Sequence, residues 1–296
     1  MSDSTPLESQ PERIWRRKQV LDGIRERARR LFDTGAMGLQ VASMLSEKLD
    51  RFVVSIIEET LIGFSEADRR SLEQECAMIV VGGSGRGEVA PFSDVDVLFV
   101  FRPRITDLID RFSKAVVPEF WDAGVQLGQR VYTVHEAVRK AREDPHLASS
   151  LVHIRGLWGD ESLADQLAGR FFRRVIRGRR QFIESCIAGR EEERTQHGAT
   201  VQQLEPDVKK SLGGLRDVHL LQWVAFAHYE TTDIGTLRKK SLLSREDASA
   251  LKQAVEFLTR VRIDLHLNAG KPHDTLSRDE QSVSYTHLRA HETPLP

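Results

Sequence analysis

Two aspartates, Asp94 and Asp96, closely follow a glycine-rich turn, Gly82-Gly83-Ser84-Gly85-Arg86-Gly87-Glu88. Side chains two apart on a strand point to one face, so this spacing aims both carboxylates at a single spot. Glycines at 82, 83, 85 and 87 remove Cβ atoms where backbone must come close to a ligand. A helix opening near Ser84 would turn its free N–H groups toward a phosphate. The Ser84 hydroxyl is a further donor, and the Arg86 fork suits either a phosphate or an ion pair that braces the turn. Hard Mg2+ prefers carboxylate and phosphate oxygens. Two carboxylates beside a phosphate cradle are therefore the parts that a metal-dependent nucleotidyl transfer requires. The turn lacks the Lys-Ser/Thr ending of a Walker loop. The next run ends in Arg102 and Pro103, not in the ribose-binding acid of a dinucleotide fold.

The elements around these residues follow from periodicity. Helical patterns cover residues 12–32, strongly basic, and 38–62, where Ala42, Leu45, Leu49, Phe52 and Ile56 recur at helix spacing. Ser65 and Asp68 open a short third helix. The continuous apolar run 76–81 predicts a buried strand stopping at Gly82, and 94–101 predicts a second. A helix over 105–121 and a strand over 125–132 follow, and Thr133 with Glu136 forms a capping box into another helix. Beyond Leu157 no strand is expected. Helices are predicted over 161–189, 215–229 and 244–267, with a polar break at 195–198. Trp121, Trp158 and Trp223 fall at apolar helical positions and are read as core. His135, His146, His153 and His219 share no metal spacing and are read as ordinary helical residues. The arginines at 170–180 and the basic first helix read either as wet faces or as docking surfaces for an acidic partner.

Composition is that of an ordinary soluble chain, and a net charge of −1 gives no overall bias toward nucleic acid or membrane. Cys76 and Cys186 lie too far apart in sequence for a metal or disulfide motif, which fits a reduced, cytoplasmic setting. No run is long and apolar enough to span a bilayer.

At GGSGRGE (82–88) followed by SDVDVLF (93–99), the chain resembles the DNA polymerase β-like nucleotidyltransferase superfamily. Residues 120–137 (FWDAGVQLGQRVYTVHEA), 204–223 (LEPDVKKSLGGLRDVHLLQW) and 257–281 (FLTRVRIDLHLNAGKPHDTLSRDEQ) are similar to bacterial PII uridylyltransferases, in the same order. The resemblance implies an α+β fold, with a mixed-sheet nucleotidyltransferase core and flanking helices followed by an all-helical domain. The expected boundaries are 1–64 for an N-terminal helical segment, 65–160 for the core and 161–281 for the helical domain. The stretch 282–296 is similar to translated sequencing-adapter read-through and is expected to be non-native. The native sequence is then expected to continue past Gln281.

The activity so implied is transfer of UMP from UTP to a tyrosine of the PII nitrogen-signalling protein, with Mg2+ and release of pyrophosphate. Carried over residue by residue, Asp94 and Asp96 bind the metal and are catalytic. Gly82, Gly83, Ser84, Arg86 and Ser93 hold the nucleotide. Lys209, Lys210 and Arg216, around Gly213-Gly214, read either as a basic clamp on UTP phosphates or on the PII loop, or as a solvated helix entrance. Glu205 and Asp217 are expected to brace that turn. The family's uridylyl-removing and glutamine-sensing domains are not expected within this chain, and His273-Asp274 looks like non-catalytic linker. One departure matters: Gln126 stands where the family carries a glutamate on the third strand, while Gln129 and Arg130 replace a His-Ser pair. Glu88 or Asp122 could supply the missing carboxylate. Alternatives are an adenylylating or small-molecule transferase, or a catalytically weak nucleotide-binding module.

Overall fold

The computed structural model describes residues 8–197 and 203–281. The proposed tail, 282–296, lies outside them. The chain begins with helices α1 (Gln10–Asp33), α2 (Gly38–Leu61) and α3 (Glu66–Glu75). The core then runs β1 (Cys76–Val80), a short α4 (Gly82–Arg86), β2 (Val95–Phe101), α5 (Thr106–Asp122), β3 (Leu127–Thr133), α6 (Val134–Lys140), α7 (Pro145–Ser150) and β4 (Arg155–Gly159). Helices α8 (Glu161–Arg177), α9 (Arg179–His197), α10 (Leu215–Tyr229), α11 (Ile234–Lys239) and α12 (Arg245–Ala269) follow. This is the α+β arrangement expected: a mixed sheet with flanking helices, then a helical region.

The sheet order is β3-β2-β1-β4, with β1 antiparallel to β2 and β4, and β2 parallel to β3. Alternation assigns its two faces. Met78, Val80, Val97, Phe99 and Phe101 pack with α1, α2 and α5, whereas Ala77, Ile79, Leu98 and Val100 pack with α6 to α10. Asp96 shares its parity with Leu98 and Val100, so it faces the helical region.

Sequence reading missed β4. Its five residues, RGLWG, contain two glycines and no alternation, and the strand forms because β1 offers an open edge. The helix predicted over 161–189 is broken at Gly178 into α8 and α9, and α9 continues through the expected polar break to His197. Trp121 is 69% exposed and not core. Trp158 stacks on Phe112, and Trp223 is buried.

Part of the first helix's basic charge is paired internally, while Lys18, Arg27 and Arg30 stay exposed. Arg17, 1% exposed, pairs with Glu59 at 2.8 Å and also with Glu119, and Arg16 joins Glu59 at 3.1 Å. Farther along α1, Arg25 donates to the Pro91 carbonyl and lies over the Phe92 ring. Helix α12 returns to this N-terminal layer: Glu256 accepts from the backbone N–H groups of Gly38 and Leu39 at the start of α2. Among the described residues, no helix is long and apolar enough to cross a membrane.

Candidate active site

A cavity of about 380 Å3 opens between the sheet and the helical region. Its lining includes Gly82, Gly83, Ser84, Arg86, Ser93, Asp94 and Asp96 from the core, and Lys209 and Arg216 from the entrance to α10. Nine of the ten residues singled out from sequence thus meet around one space. Lys210 is the exception: its ammonium lies 3.4 Å from His197 Nε2, outside the cavity lining.

The glycine turn holds its shape for local reasons. Gly82 has φ +57°, a left-handed conformation that favours glycine, and a Cβ there would stand 3.0 Å from Asp96 Oδ2. At Gly85 a Cβ would stand 2.2 Å from the His153 carbonyl, so α4 can lie against that turn only without a side chain. The Ser84 hydroxyl is engaged, accepting from the Asp96 N–H at 3.3 Å. It ties the glycine turn to the acid-bearing strand.

Asp94 precedes β2 and Asp96 lies on it, in register with Gly128 of parallel β3. Neither carboxylate has a hydrogen-bond or ion-pair partner among the described residues. Burial, then the charge of Asp94, pushes the Asp96 carboxyl above its ordinary value, while Lys209, Arg216 and Arg86 pull it back. Two like charges converging without a protein cation between them form a donor set that suits a hard divalent ion. No group of three or more His, Cys, Asp or Glu converges as a metal site among the described residues, so the pair would hold Mg2+ with water and phosphate completing the shell. Gln126 is exposed and outside the cavity lining, although the register continued one step back sets it beside Asp94. Asp122 ends α5, also outside the lining.

Glu88 is committed elsewhere. Arg86 Nε donates to its Oε2 at 2.7 Å, and His219 Nε2 lies 2.9 Å from the same oxygen. Burial, reinforced by Arg86, pushes the imidazole down to about 3, so His219 is neutral and donates its Nε2–H. Burial opposes ionisation of Glu88, but His219 and Arg86 hold its carboxyl below the usual range. Arg86 thus serves as the ion-pair brace while still lining the cavity. His219 Nδ1 and Trp223 Nε1, buried in the wall of the same cavity, have no hydrogen-bond partner among the described residues, leaving an acceptor and a donor for a bound molecule.

The basic side of the cavity is built by the 207–214 turn. Asp207 accepts from the N–H groups of Lys209 and Lys210, and the Arg216 N–H donates to the Lys209 carbonyl, which sets Lys209 and Arg216 side by side. Arg190, buried on α9, ties this turn down through Asp217 and the carbonyls of Lys210 and Ser211. Asp217 also accepts from the Gly213 N–H, the bracing expected of it, while Glu205 accepts from the Arg278 N–H. Burial, with Arg262 and Arg216, pushes the Lys209 amine down to about 8. Sequence reasoning missed Arg190, His219 and Arg262 as site components. Each sits on an amphipathic helix, where an arginine or histidine has no spacing to set it apart.

Residues 181–290 match the GlnD PII-uridylyltransferase family, and residues 22–142 match the DUF294 nucleotidyltransferase family. The bifunctional uridylyltransferase/uridylyl-removing enzyme of Rhodospirillum rubrum is 32% identical over 261 residues, 88% of this chain and 28% of that protein. Its counterpart in Erythrobacter litoralis is 32% identical over 274 residues, 92% of this chain and 30% of that protein. The Novosphingobium aromaticivorans protein of the same name is 33% identical over 261 residues, covering 88% and 28%. The chain therefore spans less than a third of the length of these relatives.

Proposed function

We propose that this chain, a nucleotidyltransferase domain of the GlnD PII-uridylyltransferase family, transfers UMP from UTP to a tyrosine hydroxyl of a PII-type signalling protein. The observation that carries the reading is the pair of carboxylates, Asp94 and Asp96, without a partner among the described residues and set beside the Gly82–Ser84 turn in a single cavity. Lys209 and Arg216 close the opposite side with positive charge, where a triphosphate needs it. Mg2+ held by Asp94 and Asp96 would neutralise charge on the reacting phosphates and the departing pyrophosphate. The protein's own part is positioning: the turn cradles the phosphates, the basic pair holds the leaving group, and the cavity orients the α-phosphorus toward an incoming tyrosine oxygen.

The test is incubation of the chain with Mg2+, a PII-type protein and α-labelled UTP or ATP in parallel. Label on the tyrosine from UTP, with pyrophosphate released, is the expected result. Transfer from ATP alone would replace uridylylation with adenylylation. A second reading, a nucleotide-binding module with weak turnover, is favoured by Gln126, which brings no charge beside Asp94. UTP binding without pyrophosphate release would select it, and Gln126→Glu should then gain activity.

A further inference from the structure

The two charged sides of the cavity are carried by irregular backbone. Asp94 follows the turn that the Ser93 N–H closes on the Ala90 carbonyl, and Lys209 lies in the 207–214 turn. Strand pairing does not fix where either turn sits. Asp274, which follows α12 and reads from sequence as linker, connects to both.

Its carboxylate receives Arg262 Nε at 2.7 Å, and Arg262 Nη2 donates onward to Ser93 Oγ at 3.1 Å. The same carboxylate lies 3.0 Å from His266 Nε2. The Phe92 N–H donates to His266 Nδ1 at 3.3 Å, which leaves the ring proton on Nε2, directed at Asp274. Two arms therefore run from one carboxylate to the two residues before Asp94. The backbone of Asp274 holds the other turn: its carbonyl accepts from the Val208 N–H at 2.8 Å, next to Lys209. Thr275 bridges Asp207, and the Leu276 N–H donates to the Pro206 carbonyl, extending the seam. Asp274 itself is absent from the cavity lining, whereas Ser93, Lys209 and Arg262 are part of it.

We infer that Asp274 is a positioning residue, fixing the Asp94 turn and the Lys209 turn relative to each other so that the carboxylate and the ammonium meet the same metal-bound triphosphate. The inference rests on the functional reading above. It assigns to the segment after α12 a direct hold on both halves of the site, and it makes the helical region part of the metal site's support.

The experiment titrates the full chain calorimetrically with two probes, Mn2+ alone and UTP in the presence of EDTA. Asp274→Asn keeps the shape but removes the charge that holds Arg262 and His266. It is expected to weaken Mn2+ by about 10- to 100-fold, the range for groups that orient metal ligands, and to weaken UTP through Arg262, which lines the cavity and loses its anchor. His266→Phe keeps a ring against Phe92 but cuts only the His266 arm to the Asp94 turn, and His266 lies outside the cavity lining, so the variant should weaken Mn2+ and leave UTP affinity unchanged within error. A general loss of structure would not separate the two probes. Wild-type affinities for both probes in Asp274→Asn, or an equal loss of both in His266→Phe, overturn the inference. Should Asp274→Asn unfold, as judged by its thermal transition, the His266→Phe split alone decides. A wild-type chain that binds both probes yet labels no PII-type protein sinks the proposed function and leaves the positioning role standing. One that binds neither sinks both.

Discussion

Asp96 and Gly128 face each other across the parallel β2–β3 pair, and Asp96 Oδ1 stands 2.9 Å from the point a Cβ on residue 128 would occupy. The carboxylate takes space that any other residue would fill. Gly128→Ala must displace the end of a short side chain without disturbing backbone pairing. The expected outcome is a thermal transition close to wild type with Mn2+ affinity reduced by about tenfold or more, since a small displacement of a ligand degrades the site. Calorimetric titration beside a melting curve checks it.

Asp96→Asn and Asp94→Asn should each reduce transfer by more than about 100-fold, beyond the loss seen when only a supporting residue is removed. Asp96→Asn should also raise stability at neutral pH. The folded state lifts the Asp96 carboxyl above its ordinary value because of burial and then Asp94. The unfolded chain therefore releases this proton first, and ionisation costs folded stability as pH rises upward from the ordinary aspartate range. Removing the charge removes that cost. Denaturant unfolding at pH 7 measures the gain, and transfer of label measures the loss. A double variant that still labels a PII-type protein would refute the metal-site assignment.

Much of this site was legible in sequence because it rests on local pattern. The Gly82–Glu88 turn, the Asp94/Asp96 spacing and the strands around them are short-range features that tertiary context leaves in place. The Thr133–Glu136 capping box likewise forms as predicted, with both reciprocal contacts. What stayed hidden depends on partners distant in the chain. Strand β4 exists through pairing with β1 rather than through its own propensity. His219 acquires its role from Glu88, 131 positions away, and Arg262 from Ser93, 169 positions away. Lys209 and Lys210 are indistinguishable as neighbours in sequence. Only the fold of the 207–214 turn sends one to the cavity and the other toward His197.

The buried Arg86–Glu88–His219 cluster should dominate the acid sensitivity of the core. With Glu88 held below its ordinary value of 4.5, its ionised form adds stability above that value. That stability is lost as pH falls below it and Glu88 is forced to take up a proton. Glu88→Ala leaves Arg86, 7% exposed, without its carboxylate. The expected cost at pH 7 is about 3–5 kcal/mol, the range for breaking one side of a buried pair. Urea unfolding at pH 7 and at pH 4 tests this: the deficit of the variant should shrink at the lower pH.

Lys209 gives the site a limit on its alkaline side. Burial, then Arg262 and Arg216, brings its amine from 10.5 down to about 8, with Asp274 and Asp94 opposing. Between those two values the unfolded chain binds a proton that the folded chain does not, so stability without ligand rises with pH across that window. Nucleotide affinity should move the opposite way, because a triphosphate requires the charged amine. Above about pH 8 the affinity for UTP in EDTA should fall by about tenfold per pH unit, the slope of a single proton taken up on binding. Lys209→Arg keeps its charge throughout and should abolish this alkaline limb, whereas Lys210→Arg should leave it as in wild type. Calorimetric titrations from pH 7 to 9.5 separate the two variants. An unchanged limb in Lys209→Arg would show that another group carries the dependence.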